Sequence, residues 1–479
     1  MATNSKRFKL DDGSEDASSL QNFLQWCDRV GLKLNHNKVY VSRKGTQADY
    51  GMLAKEDIEE GEVLFIIPRS VLLHHGTSKV SAVLEQGKEL LESSSGWVPL
   101  LMALLYEYTS PESPWAPYLS LWTDFSRLDQ PLFWSKEERG TLLRGTGIPE
   151  AVERDLANIQ KEYSTVVLPF IAQHTDLWNP SIHTLQLYTR LVAFIMAYSN
   201  CIILLGSFQE PLEEEEEKEG SDDDEEEEEK ASNLPMMVPM ADMLNHVSNH
   251  NAHLEYTPEF LKMICVRPIR KGQEVFNTYG QMANWQLLHM YGFTEPYPSN
   301  CNETADIPMA NLYKVAAQGV QSDLDRQLVE EKRALILKMG EKAAFIFGKQ
   351  GCLTDMELHT TLKVLCMSRE EFQEFRENEG WEEDEEADDE KVSLAFSNEG
   401  LPGLPAPWKW LIHAAARLTL DSYGSAEGGC LDRDRVLIED KVQLQGLNPR
   451  QLRALQVRHG QKSILDRVLA LTQSCTSHN

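Results

Sequence analysis

The sequence contains no closely spaced pair of cysteines and no apolar run of membrane length. Its eight cysteines are scattered without a single C-x-x-C pair, which disfavours a secreted disulfide framework and a cysteine-bound zinc cluster. The longest apolar stretch, residues 191–206, contains Ser199 and Asn200 and is shorter than a membrane span needs. The first residues lack the apolar core of a signal peptide. We therefore expect a soluble protein that does not bind a membrane, located in the nucleus and also in the cytoplasm, with the basic segment 6–9 as a weak import signal.

Basic residues are scarce relative to acidic ones. Lysine and arginine number 46 against 75 aspartates and glutamates, for a formal net charge of −29. Direct binding of nucleic acid is disfavoured, because it needs a footprint of lysine and arginine. Two acidic runs carry most of the charge, Glu213–Lys230 with −12 and Glu377–Glu390 with −10. We interpret them as solvated, disordered segments; the alternative is that they attract a basic partner.

The order of predicted elements indicates the domain organisation. A length of 479 residues allows about three domains. An N-terminal tail and helix (1–36) precede a β-rich domain (37–290), which carries a helical insertion at about 75–235 that includes the first acidic run. A helical domain (300–479) follows, with the second acidic run as a loop. The predicted fold class is therefore α+β.

Individual segments follow from hydrophobic periodicity. A turn is predicted at Tyr50–Met52, and a first amphipathic helix near residues 20–30. Alternating or short apolar runs predict strands at Lys38–Ser42, Glu62–Ile67, Ala252–Thr257, Leu261–Val266 and Glu274–Asn277. Apolar residues three and four apart predict helices at Val98–Tyr108, Glu150–Phe170, Ser181–Tyr198, Arg326–Phe347, Asp355–Cys366, Pro407–Leu420 and Pro449–Leu471.

Several common catalytic motifs are missing. The nearest approach to a dinucleotide-binding loop is Gly145-Thr-Gly147, but Glu150 stands where the third glycine belongs. The sequence contains neither a G-x-x-x-x-G-K-[ST] loop nor a G-x-S-x-G elbow. A dinucleotide enzyme, a P-loop NTPase and an α/β-hydrolase are therefore disfavoured.

The densest group of polar residues lies at 242–253. His246, His250 and His253 could form a metal triad, although Val247 stands where the general-base glutamate of a zincin helix belongs. A second interpretation is that these polar residues cap a turn. A third interpretation comes from a family resemblance.

Asn245-His246, followed by the sequence E-V-F-N-T-Y-G at residues 274–280, resembles the paired signature of SET-domain methyltransferases. Tyr50-Gly-Met52 fits the first cofactor segment of the same family. The helical insertion and the helical C-terminal half resemble the subgroup with a Rubisco-methyltransferase-type substrate-binding domain, and the resemblance covers roughly residues 20–475. It implies an α+β fold in which a β-rich SET domain with a helical insertion is followed by an all-α C-terminal domain.

The resemblance implies S-adenosylmethionine as co-substrate, no metal, and a defined set of site residues. Tyr279 would be the catalytic residue. The implied cofactor-binding residues are Ala48, Asp49, Tyr50, Tyr198, Asn245, His246 and Tyr291, and the implied substrate-binding residues are Trp97, Ser199, Gln209 and Asn251. The sequence departs from the family at residues 200–206 (N-C-I-I-L-L-G), so either Ser199 or Ser207 corresponds to the family's serine.

The implied activity is methylation of a protein lysine. The expected partner is a protein with a basic, lysine-bearing segment, with an NF-κB subunit or a histone as candidates. Two alternatives stay open at this point. The same fold also methylates a histidine in a related subgroup, and a non-catalytic acidic adaptor would bind basic partners through the two acidic runs.

Overall fold

The computed structural model describes residues 15–122, 125, 128–198, 235–318, 322–339, 343–377, 389–424 and 431–473. The first acidic run lies wholly outside the described residues, and most of the second does too. The chain forms two compact units. The first unit consists of residues 1–133, 153–281 and 290–292, and the second of residues 134–152, 282–289 and 293–479. None of the described helices has the length and apolarity that a membrane span requires.

The described strands of the first unit form two four-stranded sheets. In chain order they are β1 (Lys33–Leu34), β2 (Val39–Ser42), β3 (Gly51–Ala54), β4 (Val63–Pro68), β5 (Asn245–His246), β6 (Ala252–Tyr256), β7 (Phe260–Cys265) and β8 (Glu274–Asn277). One sheet has the order β1-β4-β7-β6 and is antiparallel throughout. The other has the order β2-β3-β8-β5, in which β5 and β8 run parallel.

The strand predictions are confirmed within one or two residues, but the turn at Tyr50–Met52 is wrong in part. Gly51 and Met52 belong to β3, and all four residues of this strand are buried. Met52 pairs with Val41 on one neighbouring strand and with Val275 on the other. A short apolar run between two strands has no alternation to reveal it, so Gly51 suggested a turn where the chain is a central strand.

Helices fill the segment between β4 and β5. They are, in chain order, α2 (Ser81–Gln86), α3 (Val98–Thr109), α4 (Ala116–Leu119), α5 (Lys136–Leu142), α6 (Ile148–Glu162), α7 (Leu168–Gln173) and α8 (Leu185–Tyr198). One further helix, α1 (Glu15–Arg29), precedes the first strand. Helix α3 is buried on nearly all sides, as expected for a helix that is apolar all round. The helical insertion predicted from the sequence is confirmed for the described residues.

The second unit is mainly helical. Its further helices are α9 (Asn284–Gln286), α10 (Met309–Gln318), α11 (Asp323–Lys338), α12 (Asp355–Cys366), α13 (Arg369–Glu377), α14 (Asp389–Ala395), α15 (Ala406–Asp421), α16 (Leu431–Glu439), α17 (Lys441–Gln445) and α18 (Pro449–Thr472). Side chains from α10, α12, α15 and α18 form one buried core, among them Leu312, Leu362, Ala415 and Leu465.

The predicted helix Arg326–Phe347 is wrong at its end. Helix α11 stops at Lys338, and Ala344–Phe347 forms strand β10, which pairs antiparallel with β9 (Ala305–Pro308). Phe345 and Phe347 are buried while Ala344 and Ile346 are only partly so, which is the alternation of a strand. Periodicity cannot separate so short an apolar run from the last turn of a helix. The α+β class is confirmed, although the C-terminal half is not all-helical.

Candidate active site

The second sheet brings together two sequence motifs that lie far apart in the chain. Asn245 pairs with Phe276, and His246 pairs with Asn277, through the parallel contact between β5 and β8. Tyr279 lies two residues beyond the end of β8. The Asn-His pair and the tyrosine therefore lie at one end of one sheet.

Asn245 is held by two acceptors. Its Nδ2 donates one hydrogen bond to the backbone carbonyl of Tyr50 at 2.9 Å and another to Glu274 Oε1 at 2.6 Å. Both hydrogens of the amide are thereby used within the protein. Oδ1 is consequently the atom of Asn245 that is left to accept a hydrogen bond from a ligand, and this fits the α-ammonium group of S-adenosylmethionine.

His246 is buried and fixes the backbone of Tyr279. Its side chain is only 1% exposed, and Nδ1 accepts the backbone N–H of Tyr279 at 2.9 Å. In the neutral imidazole the proton therefore resides on Nε2. The two rings also stack, with centroids 5.1 Å apart and planes inclined by 26°. His246 is a rigid support for the tyrosine.

Tyr279 lies between two rings, with its hydroxyl tied to the main chain. Tyr291 stacks on it with centroids 4.8 Å apart, in addition to His246. The hydroxyl donates to the carbonyl of Leu244 at 2.8 Å. Burial, with the nearby Tyr291 and Tyr198 hydroxyls, holds the pKa of Tyr279 well above its ordinary range. The side chain is therefore a neutral phenol near neutral pH.

A buried carboxyl supports the turn that carries Leu244. Leu244 caps the short 3-10 turn Ala241–Met243, and Asp242 in that turn accepts a hydrogen bond from the hydroxyl of Tyr118 through Oδ2. Burial raises the pKa of Asp242 to about 8. Met240, which precedes the turn, has φ of 78°, an uncommon conformation for a residue with a side chain. Sequence reasoning missed this pair, since nothing local joins residue 118 to residue 242.

Comparison with known proteins identifies the family. The SET domain family matches residues 49–280, and the family described as Rubisco LSMT substrate-binding matches residues 323–465. N-lysine methyltransferase setd6 of Salmo salar is 63% identical over 99% of this chain and 100% of its own length. N-lysine methyltransferase SETD6 of Homo sapiens is 45% identical over 98% of this chain and 100% of its own length.

The chain belongs to the SETD6 family of N-lysine methyltransferases.

Solved structures agree with this assignment at the level of the fold. The structure of Rubisco LSMT bound to AdoMet superposes with a TM-score of 0.61 at 16% identity, covering 95% of this chain and 91% of that one. The SET domain of LSMT bound to lysine and AdoHcy gives the same values. The predicted reaction is confirmed by the family: this SETD6-family chain is an S-adenosylmethionine-dependent protein-lysine methyltransferase of the SET type.

Two of the predicted cofactor residues of the SETD6-family chain, Tyr50 and Tyr198, contact one tryptophan that sequence reasoning missed. Tyr198, the last residue of α8, packs on Trp122 with ring centroids 4.2 Å apart, and Tyr50 meets the same ring edge-on at 5.7 Å. The indole Nε1 of Trp122 is buried without a partner among the described residues. Ala48 and Asp49 are exposed in the segment that enters β3. An aromatic residue near 120 gives no motif, so only the contacts reveal it.

The predicted substrate residues are less closely connected to this cluster. Asn251 donates through Nδ2 to the carbonyl of Glu274 at 3.0 Å and accepts the N–H of Phe276 through Oδ1 at 2.7 Å, so its amide binds the backbone of β8. Trp97 precedes α3, and its indole Nε1 is buried without a partner among the described residues. Ser199 and Gln209, like the 200–206 segment, lie outside the described residues. The substrate roles stay predictions.

The metal-triad interpretation is not supported in the part of the chain that the structure describes. No group of three or more His, Cys, Asp or Glu side chains there is placed to hold a metal ion. His246 instead accepts the backbone N–H of Tyr279, while His253 lies in strand β6.

Proposed function

We propose that Tyr279, Asn245 and His246 form the site at which this enzyme methylates a lysine in a basic segment of a transcription-regulatory protein. The supporting observation is that Tyr279 stacks on both His246 and Tyr291, while its hydroxyl donates to the carbonyl of Leu244, the residue before Asn245. When bound, S-adenosylmethionine supplies an electrophilic methyl group on a positively charged sulfur.

The acceptor lysine must be neutral to attack. Its ordinary pKa near 10.4 places it about three units, or about 4 kcal/mol, from neutrality at cellular pH. A positive charge about 4 Å away disfavours the ammonium form by about 4 kcal/mol at an effective dielectric near 20. A dedicated strong base is therefore not needed.

Tyr279 orients the amine instead of deprotonating it. Its own hydrogen is donated to Leu244, so towards a bound amine the phenolic oxygen would act as an acceptor. The high pKa of Tyr279 keeps it from acting as a phenolate base near neutral pH. An acceptor oxygen in this place aligns the amine N–H and stabilises the charge that moves from sulfur to nitrogen.

The substrate that we propose is the RelA subunit of NF-κB, with a histone as the second candidate. The support is the family and the acidic balance of the chain, whose two runs carry a net charge of −22 and would raise the local concentration of a basic segment. We propose the nucleus, and also the cytoplasm, as its location; segment 6–9 supports import.

A methylation assay with separated substrates tests this proposal. The enzyme, S-adenosylmethionine and either RelA or a histone octamer would be incubated, and the modified residue located by mass spectrometry. Methyl-lysine on RelA that disappears in the Tyr279→Ala variant supports the proposal. Methyl-histidine, or no methyl-lysine on either substrate, would contradict it, whereas modification of histones alone would overturn RelA in favour of the second candidate. Deleting both acidic runs should raise KM at low salt and have less effect at high salt.

A further inference from the structure

One carboxylate joins two parts of the donor site. Glu274 opens strand β8 and pairs with Leu53 of β3. Its Oε1 accepts the hydrogen bond from Asn245 Nδ2 at 2.6 Å, and its Oε2 accepts the backbone N–H of Gln47 at 2.8 Å. Gln47 comes just before the segment 48–50. Glu274 therefore links Asn245 to the other chain segment that carries cofactor-binding residues.

We propose that Glu274 is a positioning residue of the methyl-donor site: it sets the orientation of the Asn245 amide and holds the segment 47–50 in place before the donor binds. This inference rests on the donor site proposed at Asn245. It assigns Glu274 no contact with the donor itself, because both of its oxygens are used by the protein.

The first argument is the polarity of the Asn245 amide. An amide can rotate by 180° and exchange its donor and acceptor ends. An ionised carboxylate accepts hydrogen bonds and cannot donate them, so Glu274 and the carbonyl of Tyr50 together admit only the NH2 end of Asn245. Oδ1 is thereby turned away from both. A glutamine at 274 could offer its own NH2 group, which would leave the carbonyl of Tyr50 as the remaining group that requires the NH2 end of Asn245.

The second argument is how tightly the carboxylate is enclosed. Gly51 leaves room for it: a Cβ on Gly51 would lie 2.5 Å from Glu274 Oε1 and 2.5 Å from Thr46 Cγ2, closer than side-chain atoms approach. Burial raises the pKa of Glu274, and the bonds from Asn245 and Gln47 oppose that rise. A half-buried carboxylate held by two neutral donors costs free energy to desolvate, so it is a poor choice for a purely structural link.

The third argument is the strength of the two bonds. Hydrogen bonds to an ionised group are shorter and stronger than those between neutral groups, and the 2.6 Å distance to Asn245 fits that class. Preorganised segments bind a ligand more tightly, because the ordering cost is not paid at binding.

The test compares Glu274→Gln with Glu255→Gln. Glu255 is an exposed residue of strand β6 in the same unit, so its variant makes the same change of charge away from the site. Binding of S-adenosylhomocysteine by the whole protein would be measured by calorimetry, and melting of the ligand-free protein in parallel. We expect the Kd of Glu274→Gln to rise about tenfold, with the KM for the substrate protein within about twofold of wild type. Glu255→Gln should match wild type in both.

A second measurement uses only the wild-type protein, so it does not depend on whether a variant folds. Amide hydrogen exchange of the segment 43–50 in wild type should show protection without ligand and less than about a threefold change on adding S-adenosylhomocysteine. A segment that is unprotected until ligand is added would overturn the inference, as would an unchanged Kd in Glu274→Gln.

Asn245→Ala separates this inference from the proposed site. If that variant binds S-adenosylhomocysteine as wild type does, the donor site itself is wrongly placed. If it loses binding while a folded Glu274→Gln retains it, only the positioning role of Glu274 fails.

Discussion

The hydroxyl of Tyr279 donates a hydrogen bond to the carbonyl of Leu244, 35 residues earlier in the chain, at 2.8 Å. This bond decides how the tyrosine can act, because a phenol whose hydrogen is committed presents only lone pairs to a substrate. It also makes the position of the hydroxyl depend on the turn 241–244 and on the Asp242–Tyr118 pair behind it.

Replacing Tyr279 by phenylalanine should separate catalysis from binding. The ring stacking with His246 and Tyr291 is retained, whereas the oxygen that aligns the amine is lost. We expect kcat to fall roughly 10²-fold to 10³-fold, with S-adenosylhomocysteine affinity within about threefold of wild type. Transfer of labelled methyl groups and calorimetry would measure the two quantities. Tyr40→Phe, at an exposed tyrosine of β2, serves as control, and full activity of Tyr279→Phe would refute the assigned role.

Asn245→Asp should destabilise the protein as well as weaken donor binding. The change places a carboxylate oxygen against Glu274 Oε1 and the carbonyl of Tyr50, so that acceptors face acceptors. We expect a loss of about 1–3 kcal/mol in the free energy of unfolding, measured by urea denaturation. Asn249→Asp is the matched control, since Oδ1 of Asn249 already accepts from Arg267. Equal stability of the two variants would contradict the hydrogen-bond assignment at Asn245.

Asp242 should make stability fall as the pH rises. Its pKa is raised from 3.8 to about 8 in the folded protein by burial. The folded state then binds the proton more tightly than the unfolded chain, so the stabilising contribution is complete below about pH 4 and is lost as the pH rises to about 8.

The Asp242→Asn variant cannot ionise at this position. The melting temperature of the variant minus that of wild type should therefore increase as the pH rises from about 5 to about 8. Asp57→Asn is the control, because the pKa of Asp57 is shifted in the opposite direction: the Lys271 backbone N–H and the Arg270 guanidinium lower it. The difference in melting temperature between Asp57→Asn and wild type should therefore stay constant from about pH 5 to about pH 8. A constant difference for Asp242→Asn too would argue against a protonated Asp242.

Lys462 in α18 should be essential to the second unit. Its side chain is 0% exposed, and Nζ donates to Asp434 Oδ2 at 2.7 Å. Lys462→Met leaves the buried Asp434 with Arg458 as its one ion-pair partner among the described residues, and should cost about 3–5 kcal/mol. The exposed pair of Arg376 and Glu331 provides the contrast, because Arg376→Met should cost less than about 1 kcal/mol. Denaturant unfolding would show both, and similar losses would count against the buried pair.

Much of this protein was predictable from local patterns. Strand β8 and helices α12, α15 and α18 follow from apolar spacing, because the period of the buried residues is itself the local structure. That Asn245-His246 and Tyr279 serve one site was implied by the family resemblance, which rests on the order of the two motifs. These residues belong to short, contiguous signals that a single sequence displays.

The tertiary structure decided what those residues touch. Glu274 lies inside the very motif that identified the family, yet its bonds to Asn245 and Gln47 exist only because β3, β5 and β8 become neighbours. The role of Tyr118 likewise depends on a contact with Asp242 that spans 124 residues. The strand β10 needed β9 as a partner before its short apolar run became a strand. A sequence by itself determines the periods and the reactive groups, whereas burial and long-range hydrogen bonds decide their charge, orientation and partners.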